Sequence, residues 1–295
     1  MSIIEQLPGA LAPIVSARLG RPWSAGQVRD LRDLACHPCA ILSDGEAAVF
    51  VKFSEAEDAR EQFEIELSGL AALSRLAGVR TPTPVGVFAI DGGTVLVQEA
   101  LDEVERAAES WRDIGRTLGR IHAVKGVQFG WERRGYFGPL PQDNRPAGDW
   151  PTFFADRRLR PMLALVAATG QLPTTLATQI ERLIARVPEL CGPAVQPTLL
   201  HGDAQKNNFV STPTGAVVID PAVQYGHPEL DLAFVDYFEP VPADVFAGYR
   251  EEQAIDDGFW ERRELWRLWG YLAAVAVEGG PVYLERVERA VATYA

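Results

Sequence analysis

The chain has 295 residues, with 28 Lys and Arg against 40 Asp and Glu for a formal net charge of −12. Its 47% hydrophobic and 23% charged residues are an ordinary globular mix, which excludes a disordered chain and allows one large domain or two modest ones with a sizeable core. An acidic surface repels phosphodiester backbones, so nucleic acid is not an expected partner, whereas a cationic substrate suits it.

The opening stretch MSIIEQLPGALAPIVSARLG lacks the basic and apolar regions of a signal peptide. No apolar run reaches the roughly 18 residues that span a bilayer, and an odd three cysteines make no disulfide framework. A cytoplasmic protein with no membrane partner, monomeric or weakly dimeric, is expected. The first hundred residues read as strands around a single helix. Residues 47–53 form a short β-rich run. Phe63, Leu67, Leu70, Leu73 and Leu76 then recur at helical spacing over 61–76, and Gly78 closes that helix. Residues 85–90 and 94–98 flank Asp91, Gly92 and Gly93, which is a hairpin signal. Beyond residue 101 helices dominate, over 109–122, 150–167, 174–187, 229–238, 243–255, 259–277 and 281–294. Trp111, Ile114, Leu118 and Ile121 share a face of the first of these. Strands at 208–211 and 216–220 interrupt the helical region. The pattern predicts an α+β, two-lobed architecture: a small antiparallel-sheet lobe with one main helix over 1–101, and a larger, mostly helical lobe over 102–295.

The polar loop between residues 201 and 208 carries the chemistry. His201, Asp203 and Asn208 fall in the pattern H-x-D-x-x-x-x-N, the spacing of a kinase catalytic loop. Phosphoryl transfer needs a group that orients a hydroxyl and groups that hold a metal against phosphates. Asp203 can accept the hydroxyl proton. Asn208 can offer its carboxamide oxygen to Mg²⁺. The apolar run Val217, Val218, Ile219 then delivers Asp220, whose carboxylate is the hard oxygen donor that Mg²⁺ prefers. Lys52 ends the small-lobe strand after Val49, Phe50 and Val51. A lysine so placed pairs the phosphates of ATP and needs a carboxylate from the following helix, for which Glu66 is the first choice and Glu64 the alternate.

These residues, with VFVKF, TVLVQEAL, LLHGDAQKNN, FGWERRGYFGPLPQDN, DWPTFFADRRLRPML and IDPAVQYGHPELDLA, give a chain that resembles the fructosamine (ketosamine) kinases over nearly its full length. That family lies within the aminoglycoside phosphotransferase and choline kinase-like group of the protein-kinase-like superfamily. The resemblance implies an ATP- and Mg²⁺-dependent kinase with Asp203 as proton acceptor and Asn208 and Asp220 as metal ligands. It also implies that Lys52 and Glu66 anchor the phosphates, and that the backbone of Glu99, Ala100 and Leu101 forms the adenine hinge. Asp231 would brace the catalytic loop, with His201 as a structural prop. The implied acceptor is a small amine-bearing sugar or glycated amine. Two segments depart from the family. Ala204, Gln205, Lys206 and Asn207 stand where it usually reads L-W-x-G, so an aromatic surface beside the acceptor is lost and a charge is added. The phosphate loop over 34–41 is poor in glycine, the residue whose backbone amides best cradle phosphates.

Other features admit other readings. Cys36 and Cys39 form a C-x-x-C, yet no helix starts there as a redox motif requires, and no second ligand pair suggests zinc. His122 reads as a packed core residue. Trp131, Phe137 and Trp150 are candidates for an acceptor pocket or for the core. Three functions stay open: a ketosamine kinase, a same-fold kinase for an aminoglycoside, another sugar or an amino alcohol, and a nucleotide-binding pseudokinase.

Overall fold

The computed structural model describes residues 3–32 and 37–295. A helix that the sequence pattern did not announce opens the chain, α1 (Ile3–Leu19). Ile4, Leu7, Leu11 and Val15 make its buried stripe, but Pro8 and Pro13 lie inside it. Proline removes backbone donors and reads locally as a helix breaker, so burial of the stripe decides the conformation here. Then follow β1 (Gln27–Asp30), β2 (Cys39–Ser43), β3 (Ala48–Ser54), α2 (Ala59–Ala77), β4 (Pro84–Ile90) and β5 (Gly93–Glu99). The strands form one antiparallel sheet in the order β1-β2-β3-β5-β4. Val49, Val51 and Phe53 of β3 join α1 in one apolar cluster with Val95 and Val97 of β5. Alternation along the strand therefore sends Lys52 and its cross-strand partner Leu96 to the opposite face, towards α2.

The larger lobe begins with α3 (Ala108–Ala123), the hairpin β6 (Gly135–Phe137) and β7 (Leu140–Gln142), and α4 (Trp150–Phe154). The single helix expected over 150–167 is instead α4 and α5 (Arg160–Ala168), joined by a π-helical turn over Ala155–Leu159. That turn carries the buried Arg158, whose guanidinium donates to the Asp143 carbonyl at 2.9 Å and to the Asn144 side chain at 2.5 Å. Helices α6 (Thr174–Ala185) and α7 (Val187–Leu190) lead to β8 (Thr198–Leu200), β9 (Phe209–Thr212), β10 (Gly215–Val218) and β11 (Gln224–Gly226). β9 pairs with β10, and β8 with β11, so the loop over residues 201–208 is held between two small ladders. Helices α8 (Pro228–Phe234), α9 (Asp244–Glu252), α10 (Phe259–Val277) and α11 (Pro281–Ala292) complete the chain.

Ile114, Leu118 and Ile121 of α3, Phe153 and Phe154 of α4 and Trp266 and Trp269 of α10 share the large core. α3 and α9 meet backbone to backbone. A Cβ on Gly115 would sit 1.9 Å from the Val245 carbonyl, and one on Gly248 would sit 1.9 Å from the Arg112 carbonyl. This is the α+β, two-lobed plan of a small antiparallel-sheet lobe and a larger helical one that the sequence predicts. Among the described residues no helix is long and apolar enough to cross a membrane.

Candidate active site

A cavity of about 640 Å³ gathers Lys52 and Glu66 from the small lobe with Asp203, Asn208 and Asp220 from the large one. Lys52 Nζ lies 2.9 Å from Glu66 Oε2 and 2.6 Å from Asp220 Oδ1. Glu64, the alternate partner, pairs instead with Arg60 on the exposed side of α2. Burial alone would lower the pKa of the Lys52 ammonium, but the charges of Asp220 and Glu66 outweigh it and raise it. Burial pushes the Glu66 carboxyl up to about 7, against the pull of Lys52. Burial acts on Asp220 in the same sense, yet Lys52 outweighs it and holds that carboxyl below its usual range.

Asp220 does not belong to β10, which ends at Val218. It has φ of 51° and is the only non-glycine with positive φ among the described residues. The turn is pinned on both sides: Ile219 N–H donates to the Asn208 carbonyl at 3.0 Å and Ala222 N–H to the His201 carbonyl at 2.8 Å. Positive φ at a side-chain-bearing residue is uncommon and concentrates at functional sites.

The Asp203 loop is built around its neighbours. Asn208 Nδ2 donates to Asp203 Oδ2 at 2.9 Å and to the Asp203 carbonyl at 2.8 Å. Gln205 Nε2 lies 3.2 Å from the same carboxylate oxygen. Burial pushes the Asp203 carboxyl up to about 7 in spite of these hydrogen bonds. His201 Nδ1 accepts from Asp203 N–H at 3.1 Å, so its proton sits on Nε2 and is donated to the Ile219 carbonyl at 3.0 Å. With both nitrogens engaged and its pKa lowered by burial, His201 is a neutral prop.

Asp231, in α8, accepts from the N–H groups of His201 at 2.7 Å and Gly202 at 3.0 Å. His122 reaches the same carboxylate at 3.2 Å and Tyr249 OH at 2.8 Å. Gly202 has φ of 84°, and a Cβ there would lie 1.9 Å from the Ala222 carbonyl. Gly202→Ala is therefore expected to destabilise the protein by about 1–3 kcal/mol or more, from overpacking and left-handed strain together. Urea unfolding measures it, and an unchanged midpoint would show that the loop yields freely.

Several site residues were not singled out in the sequence. Arg106 donates to the carbonyls of Lys206 at 3.1 Å and Phe209 at 2.6 Å, with its guanidinium 4.8 Å from the Trp111 ring. Nothing local in the sequence marks it, because its partners lie about a hundred residues away. Tyr136, Phe234 and Phe238 line the cavity, and of the two readings open for Trp131, Phe137 and Trp150 the core one holds. Trp150 is core, and Trp131 and Phe137 pack against that core. Glu99 ends β5, Ala100 and Leu101 follow it, and none of the three is among the cavity walls, while the Glu99 N–H donates to the Thr83 carbonyl at 2.9 Å. Leu34 and Cys36 lie outside the described residues. Cys39 is buried in β2, where burial pushes its thiol up to about 11, so it is no reactive thiolate.

The family model described as fructosamine kinase matches residues 10–294. A probable ketoamine kinase of Synechocystis is 31% identical over 275 residues, covering 92% of this chain and 91% of that protein. The ketosamine-3-kinase of Mus musculus is 29% identical over 251 residues, covering 76% and 81%. A crystal structure assigned to fructosamine-3-kinase from Thermobifida fusca superposes with a TM-score of 0.82 at 30% identity, covering 96% of this chain and 98% of that one.

Proposed function

The chain belongs to the fructosamine kinase family, and on that premise we propose that it transfers the γ-phosphoryl group of ATP to a hydroxyl of a ketoamine. The observation that carries this reading is the convergence of Lys52, Asp203, Asn208 and Asp220 on one cavity. In the reaction the bond between the γ-phosphorus and its bridging oxygen breaks, and ADP leaves. A new bond forms between that phosphorus and the acceptor oxygen, and the hydroxyl proton passes to the Asp203 carboxylate. Asn208 and Gln205 hold that carboxylate in place. Lys52, aligned by Glu66, anchors the α- and β-phosphates.

The donor set fits Mg²⁺. The Asn208 amide nitrogen is committed to Asp203, which leaves its carboxamide oxygen as a donor. One oxygen of Asp220 is taken by Lys52, which leaves the other. These two oxygens would hold the ion, which when bound neutralises phosphate charge. Adenine falls to backbone groups of Glu99, Ala100 and Leu101 other than the committed Glu99 N–H. In the same reading residues 1–101 hold the nucleotide, residues 102–295 hold the acceptor, and the protein works in the cytoplasm, where ATP is supplied.

A coupled assay with ATP, Mg²⁺ and an acceptor panel tests this. Phosphate should appear on a fructosyl-amine, and chelation of the metal should reduce turnover to background. Turnover only with an aminoglycoside, a simple sugar or an amino alcohol would replace the acceptor. ATP binding without transfer to any acceptor would make the protein a pseudokinase.

A further inference from the structure

Two lysines stand among the described residues that line the cavity, Lys52 and Lys206. Their situations differ. Lys52 is locked between Glu66 and Asp220. Lys206 pairs with Glu239, and the two side chains are 21% and 69% exposed. An ion pair this open contributes little to stability, so a ligand's charges can exchange into it at small cost.

The backbone beneath Lys206 is nevertheless fixed. Its carbonyl is held by Arg106 at 3.1 Å, and Asn208 N–H closes the turn on the Gln205 carbonyl at 2.9 Å. Lys206 is thus presented from the same short segment as Asp203. Phe238, next to Glu239, supplies an apolar surface on the cavity wall, and Pro139 and Val277 line it as well. The wall therefore offers a cation and an anion side by side, beside an apolar patch, close to the group proposed to accept the hydroxyl proton.

A ketoamine carries a protonated secondary amine. When its amine comes from a free amino acid, that ammonium and a carboxylate are borne on the same α-carbon. Such adjacent opposite charges complement an adjacent Glu and Lys. A glycated lysine side chain within a protein has the ammonium but no neighbouring carboxylate, and would leave Lys206 unmatched.

Resting on the ketoamine reading, we infer that the acceptor is the ketoamine of a free amino acid, with Lys206 taking its carboxylate and Glu239 its ammonium. In this assignment Lys206 is a specificity residue that touches the acceptor, and it restores a selective contact in a loop segment that has no aromatic surface.

The test compares N-fructosylglycine with its carboxamide, which keeps the sugar and the amine and removes only the charge. For the wild type, kcat/KM for the acid should exceed that for the amide by about tenfold, the scale of one hydrogen bond to a charged group. Lys206→Gln should bring the ratio close to one, Lys206→Arg should recover most of it, and KM for ATP should stay within about twofold. A wild-type ratio at or below one overturns the inference while leaving the ketoamine reading intact. So does a Lys206→Gln variant that loses both acceptors equally and raises KM for ATP, because that places Lys206 on the nucleotide. Phosphorylation of neither compound by a folded, ATP-binding protein overturns the ketoamine reading itself.

Discussion

Asp203→Asn is expected to lower kcat by about 10²–10⁴-fold, the usual contribution of a positioned general base, with ATP affinity within about twofold of wild type. Asparagine is nearly isosteric with aspartate and keeps an oxygen to accept the hydrogen bond from Asn208 Nδ2. The main change is the loss of a carboxylate able to take the acceptor proton. The same substitution should not harm the fold. In the protein free of nucleotide and metal, burial pushes the Asp203 carboxyl up to about 7, far above its unfolded value.

A carboxyl whose folded pKa is raised contributes stability that is present below the unfolded pKa and lost as pH rises through the folded one. Wild type should therefore lose ground to Asp203→Asn between about pH 4 and pH 7, and by a constant margin above that. Thermal unfolding of both proteins in chelator, across that range, measures the difference. A variant that unfolds earlier at pH 8, or that retains activity, would remove Asp203 from the proposed role.

Asp220→Asn is expected to abolish the Mg²⁺-dependent part of ATP binding, so that affinity with metal falls to the level found in chelator. Asparagine is the substitution of choice because it tolerates the left-handed backbone that Asp220 adopts at φ of 51°. Geometry is kept while the hard anionic donor is lost. The change also removes one of the two carboxylates that flank the buried Lys52 ammonium, leaving Glu66. Breaking a buried pair outright costs about 3–5 kcal/mol, and the remaining carboxylate should hold the loss below that range. Calorimetric titration with and without Mg²⁺ reads the first effect, and urea unfolding the second. Unchanged metal-supported affinity would show that Asp220 is not a ligand.

How much of this was readable beforehand depended on the distance between partners. The helix with Phe63, Leu70 and Leu73 on its buried face is a local pattern, and so is the hairpin at Asp91 to Gly93. Asp203, Asn208 and Asp220 come from one short run whose loop and hairpin bring them to the same cavity. Lys52 and Glu66 needed only the order of strand and helix. These features are set by propensity, periodicity and spacing, which a linear chain carries openly.

The rest depends on contacts between distant segments. α1 forms despite Pro8 and Pro13 because its stripe is buried against the sheet. The π-helical turn around Arg158 answers to buried acceptors on Asn144 and Gln224, and no local periodicity encodes it. Gly115 and Gly248 look like weak points in two helices until the helices are seen to touch there. Lys206 read as a charge added to an altered loop, and its pairing with Glu239, in the segment between α8 and α9, emerges only in the folded chain. So the residues proposed for phosphoryl transfer were legible in the amino-acid order, because Asp203, Asn208 and Asp220 lie in one short run and Lys52 and Glu66 in another. The shape and charge of the acceptor side were not, because they are assembled from segments that only long-range packing brings into register.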